Sequence, residues 1–210
     1  MQTNAKDKAK LNEELWDARA RTYDMRFSFT RWTQRKLVSL LSLEGDPRVL
    51  DLACGTGWAM RYAATLARGR GAFYGVDNSS AMLQVAEANV AGYGNVGFYK
   101  SRVEELPFED AFFDFIISSN AFHHFANPEI ALREACRVLK RSGKVFILDT
   151  TADNFFMRLI DRVSARFEPA HVRMYSTGEF HSLFQNAGLR YVGVVPVFSA
   201  IKVNVAEKAV

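Results

Sequence analysis

The chain has 210 residues, 49% of them hydrophobic and 24% charged, the balance of an ordinary soluble globular protein, which excludes disorder, collagen-like repeats and coiled coil as its main state. At this size folding removes about 70% of the extended chain's surface from water, so one core forms without staples, and no apolar run approaches the roughly 20 residues that span a bilayer. Lys and Arg number 27 against 23 Asp and Glu. Residues 47–151 are balanced and the basic excess sits in the flanks, with no basic block and no aromatic RNA-binding motif, so nucleic acid is a weak reading.

Met1 to Lys10 is polar, without the apolar centre of a secretory signal, and the chain reads as cytoplasmic. The expected organisation is one compact unit: a helical cap over residues 1–46, then a body over 47–210 carrying a helical insert at about 152–175. In the cap, Lys10 to Leu43 reads as helices with Trp16, Tyr23, Phe27, Phe29 and Trp32 spaced irregularly. Four compact apolar runs follow: Arg48 to Ala53, Ala72 to Val76, Phe112 to Ser118 and Lys144 to Thr150. Their length and content of Val, Ile, Leu and Phe predict buried strands, and Val96 to Ser101 predicts a weaker one. Between them lie helical patterns at Trp58 to Ala67, Ser79 to Val90 with Ser79 as N-cap, and Pro128 to Leu139 with Asn127 as N-cap. This alternation implies right-handed crossovers and a mostly parallel, Rossmann-like doubly wound α/β sheet. After Thr150, Asp153 to Glu168 carries Phe155, Phe156, Leu159, Ile160, Val163 and Phe167 at helical spacing, with Arg158, Arg162 and Arg166 repeating at four. Such a basic amphipathic helix ordinarily packs on its own domain, but it also suits a lipid interface or an acceptor lid. A helix at Thr177 to Ala187 then leads into Leu189 to Val195 and Ala200 to Val205, a hairpin that would complete seven strands with an antiparallel edge. Cys54 and Cys136 lie in apolar segments with no His or Cys cluster near them, which points to two buried thiols, with neither a disulfide framework nor a metal site.

In an open α/β sheet ligands bind beyond the carboxyl ends of the strands. There the first strand runs into Asp51-Leu-Ala-Cys-Gly55-Thr-Gly57, a turn opening a helix. Met60 stands where a dinucleotide fingerprint needs a third glycine, so a nicotinamide oxidoreductase becomes the minor reading. Asp77 ends the second strand, where an acid can accept both hydroxyls of a ribose, unless it merely favours the dipole of the following helix. His123 and His124 follow the fourth strand and are the best-placed general bases; packing is the competing role for either. His171 and His181, further on, read as surface or packing residues.

The segments Val49-Leu-Asp-Leu-Ala-Cys-Gly-Thr-Gly57, Tyr74-Gly-Val-Asp-Asn-Ser-Ser-Ala-Met82, Val103-Glu-Glu-Leu-Pro-Phe108, Phe113 to Phe125 and Ala131 to Lys140 closely resemble the class I S-adenosylmethionine-dependent methyltransferases, and most of all the branch of the ubiquinone and menaquinone methyltransferases. The resemblance runs from about residue 47 to 149. It implies methyl transfer from S-adenosyl-L-methionine to a small-molecule acceptor, apolar, quinone-like or lipid-like, with a non-catalytic cofactor-binding sensor or partner subunit as the alternative. It also implies that Asp51, Gly55 and Gly57 surround the methionine end of the cofactor, that Asp77 with Asn78 holds the ribose, and that Met82, Val103 and Glu104 lie by the adenosine. Asn120 would offer its backbone carbonyl to the cofactor ammonium, and Tyr23 would be a lid tyrosine near the cofactor carboxylate. Three departures stand out. Ala53 replaces the first glycine of the turn and is expected to need only slightly more room. Ser101-Arg102 replaces the usual Gly-Asp, and since arginine has donors only, adenine recognition falls to backbone groups or Glu104. Arg141-Ser142-Gly143 replaces Pro-Gly-Gly and is expected as a surface turn.

Overall fold

The computed structural model describes residues 5–26 and 28–209; Phe27 lies outside the described residues. Seven strands form one sheet: β1 (Arg48–Leu52), β2 (Ala72–Asp77), β3 (Val96–Lys100), β4 (Phe113–Ser119), β5 (Leu139–Thr150), β6 (Leu189–Phe198) and β7 (Ile201–Lys208), in the order β3-β2-β1-β4-β5-β7-β6. The first five pair in parallel and β7 and β6 are antiparallel. The chain winds outward from β1 in one direction and then, from β4, in the other, so a crevice opens where β1 and β4 diverge at their carboxyl ends.

Side-chain alternation along the strands fills a core on each face. Leu50, Ile116 and Ile147 point to one layer, with α5 (Pro128–Val138) and α7 (Thr177–Asn186). Val49, Ile117, Phe146 and Leu148 point to the other, with α2 (Thr30–Val38) and α3 (Trp58–Ala67). Met60, the residue that interrupts the glycine pattern, is fully buried in α3, and a glycine there would leave a hole under β1. The helix α4 (Ser80–Asn89) starts where expected, with the Ser79 hydroxyl accepting from Met82 N at 3.0 Å. At α5, Pro128 occupies the first turn, but the Asn127 side chain makes no cap bond.

Four expectations change. Ser142 and its neighbours do not form a free turn: β5 begins at Leu139, pairs with Phe113 and passes a register shift, with Ser142 at φ 58°. The obstacle at Ala53 is conformation and not room, because its φ is 57°, a left-handed geometry that costs an L-residue roughly 1–2 kcal/mol. Cys54 is buried, but Cys136 is only half-buried on the flank of α5, its Sγ against Gly188 O at 3.8 Å. Finally, α6 (Phe155–Phe167) turns most of its apolar residues away from the domain: none of its residues is buried, Met157 and Ile160 are half-buried, and Phe155, Phe156, Leu159, Val163 and Phe167 are exposed.

Candidate functional site

The turn after β1 is shaped by backbone first. Cys54 N donates to Val76 O at 2.9 Å and Gly57 N to Cys54 O at 3.0 Å, folding the chain over the end of β2. Gly57 caps α3 at φ 74°, and a Cβ there would meet the Phe98 ring at 2.6 Å, so this glycine serves conformation and close packing. Gly55, at φ 53°, has nothing within 4 Å of where a Cβ would stand; its open side faces a cavity.

That cavity holds about 920 Å³ of empty space, open solvent at its mouth included. From the sheet, it is lined by Gly55 and Thr56 after β1, by Asp77 and Asn78 after β2, by Arg102, Val103 and Glu104 after β3, and by Ser119, Asn120 and His124 after β4. Met82 of α4 and Tyr23 of the N-terminal helix also line it. Of the residues expected at the site, Asp51, Gly57 and His123 stand behind this lining.

Asp77 is 7% exposed and holds the turn together: Gly55 N donates to Oδ2 at 2.8 Å and Ser79 N to Oδ1 at 2.9 Å. Burial raises its pKa, and those backbone donors counter it. Asp51 is more extreme. It is 1% exposed, neither carboxylate oxygen has a partner among the described residues, and burial followed by the charge of Asp77 raises its pKa well above the carboxylate range. A carboxylate in that state needs a cation or a hydrogen-bond donor from elsewhere. The same acids act on Tyr23, whose pKa burial, Asp77, Asp24 and Asp51 push up to about 12, so its phenol stays protonated and can donate.

The roof is α1 (Ala5–Arg26), and polar side chains fasten it at intervals. Asp17 accepts from Ser79 Oγ at 2.5 Å and from Ala81 N at 3.1 Å, at the start of α4. Asp24 accepts from Thr56 Oγ1 at 2.7 Å, Asn12 Nδ2 donates to His124 O at 3.3 Å, and Arg19 grips Glu168 with two nitrogens at 3.0 and 3.2 Å. These fasteners, and Gln34 of α2, whose amide donates to Ser119 Oγ at 3.2 Å, were not read from the sequence. They lie outside the strand ends, and isolated Asp, Asn and Gln on a helix carry no local signal of what they meet.

The two histidines divide. His123 Nδ1 donates to Asp149 at 2.8 Å, and His123 N donates to the same carboxylate at 2.9 Å. Burial pulls the His123 pKa down, but the charge of Asp149 and its hydrogen bond outweigh this and raise it; burial would raise Asp149, and His123 holds it low. His124 donates from Nδ1 to Ala170 O at 2.9 Å, which leaves Nε2 as an acceptor, and burial with the charge of His123 pushes its pKa down to about 3. The rings lie 3.9 Å apart between centroids, so one charged imidazole keeps its neighbour neutral. Asp149 was missed, although it stands at the carboxyl end of β5, where the rule that found Asp51 and Asp77 also applies. His171 is buried and donates from Nε2 to Asp161 Oδ1 at 2.7 Å, a packing role.

A doubly wound sheet with acids at the ends of β1 and β2 and a glycine turn between them defines a nucleoside-binding class. Comparison with known proteins narrows it. Residues 50–147 match the methyltransferase domain family. The chain is 31% identical over 160 residues to the uncharacterized methyltransferase YcgJ of Bacillus subtilis, covering 74% of this chain and 62% of that protein. It is 38% identical over 147 residues to a demethylmenaquinone methyltransferase of Thermotoga maritima, covering 67% and 62%. The crystal structure of the Bacillus YcgJ protein superposes with a TM-score of 0.67 at 30% identity, over 79% of this chain and 73% of that one. The chain belongs to the class I S-adenosylmethionine-dependent methyltransferases, and its match spans 62% of the length of these curated relatives.

Proposed function

We propose that the protein transfers a methyl group from S-adenosyl-L-methionine to a small apolar acceptor of the quinone type, with residues 47–210 as the methyltransferase body and residues 1–46 as its lid. The observation that carries this reading is Asp51, a buried carboxylate with no partner for either oxygen among the described residues, set beside the cavity wall that Asp77, Tyr23 and Cys54 form. The cofactor fits such a site, since its methionine end brings an ammonium and its ribose brings two hydroxyl donors. When bound, it supplies a methyl group on a sulfonium sulfur, already a strong electrophile.

The residues then have to orient and to exclude water, and effective molarity carries much of the acceleration. Asp77, with Asn78 beside it, would receive the ribose hydroxyls on the lone pairs that Gly55 N and Ser79 N leave free. Asp51 and the Asn120 carbonyl would hold the ammonium, and Tyr23 would donate to the cofactor carboxylate. Met82 and Val103 would enclose the adenine, and Glu104 would meet its edge. Arg102, whose Nε donates to Glu104 Oε2 at 3.3 Å, orients that carboxylate and does not touch the base. His124 presents a bare Nε2 toward the acceptor side and accepts a hydrogen bond from its hydroxyl. Its depressed pKa makes it an orienting group and a poor store for a proton. The quinone class of acceptor is supported by the names of relatives such as the demethylmenaquinone methyltransferase of Thermotoga maritima.

The test has two parts. S-adenosylhomocysteine at a hundredfold excess over its dissociation constant should add about 2.7 kcal/mol of stability, read as a thermal shift, and NADH should add none. Labelled methyl from S-adenosylmethionine should appear in a reduced quinone offered as acceptor. A shift with no transfer to any quinol would move the reading to a cofactor-binding sensor.

A further inference from the structure

The helix α6 is built inside out. At 100° per residue, Phe155, Phe156, Leu159, Val163 and Phe167 fall within one arc of about 120°. In a globular protein that arc faces the core. Here it faces water: Phe155 is 79% exposed, Phe156 67% and Phe167 77%. The side toward the domain carries the half-buried Met157, Ile160, Asp161 and Ser164, and polar contacts fasten it. Asp161, the single acid of α6, accepts from His171 Nε2 and from Met174 N at 2.7 Å each, and Arg158 Nε donates to Ala152 O at 3.2 Å. With its acid spent inward, the outer surface carries Arg162 at the edge of the apolar arc and Arg166 just within it, and Arg158 lies further round. Arg162 and Arg166 have no ion pair among the described residues.

The same end of the sheet adds two more exposed rings. Phe198, at the β6–β7 turn, is 61% exposed and meets Trp32 of α2 edge-on at 6.4 Å. That turn is tied to the start of the α6 segment, because Ala200 O accepts from Thr151 N at 2.8 Å and from its hydroxyl at 3.0 Å. A greasy arc with arginines beside it, and further exposed rings at the same end of the sheet, is the pattern of a surface lying in a lipid interface.

We propose that this surface docks on an anionic lipid bilayer, with the aromatic arc of α6 in the headgroup boundary and Arg162 and Arg166 against the phosphates. Charge decides between this occupant and a second copy of the chain. A two-fold interface places the same patch on both partners, so two arginine-bearing surfaces would be brought together with no acid on either arc to pair them. An anionic membrane supplies the missing charge. The docked helix is also mechanically joined to the cavity. Glu168, just past its end, holds Arg19 of the roof, and Ala170 O accepts from His124. On the methyl-transfer reading proposed above, and resting on it, the acceptor enters from the bilayer beneath this roof; the docking itself is independent of that reading.

The experiment is flotation of the full chain with vesicles of phosphatidylcholine alone and of phosphatidylcholine mixed with phosphatidylglycerol, at low and high salt. The wild type should partition onto the anionic vesicles and be released by salt. Arg162→Gln combined with Arg166→Gln should lower that partition about thirtyfold, two charges at about 1 kcal/mol each. Phe155→Ser with Phe167→Ser should lower it at least about tenfold, since each ring contributes its burial. Both variants alter exposed residues, and an unchanged thermal shift with S-adenosylhomocysteine establishes that they fold. Absence of wild-type binding to anionic vesicles at low salt overturns the proposal, as does an arginine variant that binds like wild type. A wild-type dimer that the phenylalanine variant converts to monomer, with no vesicle binding, assigns the face to a second copy instead. A protein that floats with vesicles but gives no S-adenosylhomocysteine shift leaves docking standing and removes the methyltransferase reading.

Discussion

At the ends of β1 and β2 two acids are buried, Asp77 held by Gly55 N and Ser79 N and Asp51 with no partner among the described residues, while beyond β5 the helix α6 buries none of its residues and hangs by side-chain contacts. The two regions lie at the same end of one sheet. The first is set by strands that cannot move without disrupting the core, so its geometry is rigid and its buried acids are kept at a cost. The second is attached by Asp161, Arg158 and Glu168, contacts that can change without touching the core. On the function proposed above, cofactor recognition would belong to the fold, and the choice of acceptor and surface to the peripheral segment.

The sharpest way to break this contrast is at their junction. Asp149→Ala leaves His123 without its counter-charge and two backbone N–H groups, of His123 and Thr150, without an acceptor. Removing one partner of a buried pair costs about 3–5 kcal/mol, and denaturant melting should show a loss of that order. In the wild type the pair's contribution has two edges. Asp149 is depressed, so its part is lost as pH falls through its lowered pKa, and His123 is raised, so its part is lost as pH rises through its elevated pKa. His124 adds an acid-side slope. The unfolded chain takes up a proton near pH 6.5 that the native state refuses down to about 3, so stability should fall on acidification by up to about 1.4 kcal/mol per pH unit. His124→Asn should remove that component, and an unchanged slope would mean that the ring is not buried neutral.

Next in size is Asp77→Ala, which should weaken S-adenosylhomocysteine about a hundredfold, or about 2.7 kcal/mol, by calorimetry. If instead only stability drops and the affinity survives, Asp77 serves the turn alone. Ala53→Gly tests whether the rigid region stores backbone strain. Release of the left-handed penalty of roughly 1–2 kcal/mol, offset by the added freedom of a glycine in the unfolded chain, should leave a net gain of about 0.5–1 kcal/mol. A loss of stability would show that the methyl group of Ala53 packs usefully. The smallest effect is expected at Arg102→Ala, where an ion pair with a 39% exposed arginine is at stake. Cofactor affinity should stay within about fivefold, or about 1 kcal/mol, and a hundredfold loss would make the guanidinium a direct contact.

The strands and most helices were legible in the sequence because their signals are local. A run such as Val145 to Leu148 is apolar on both faces, and Ser79 accepts from Met82, three residues on. Asp51, Asp77 and the glycine turn were legible for the same reason, since a position at the end of a buried strand is a property of the segment. Much of what the tertiary structure alone decided concerns direction and partners. Periodicity shows that α6 has an apolar face but not which way it points, because the outcome depends on whether Asp161 finds His171 and Met174 from a different segment. The separate fates of His123 and His124, adjacent in sequence and opposite in pKa, likewise follow from Asp149 lying 26 residues on and Ala170 lying 46 residues on. A sequence states each group's chemistry; burial and long-range pairing decide which protonation state that group adopts.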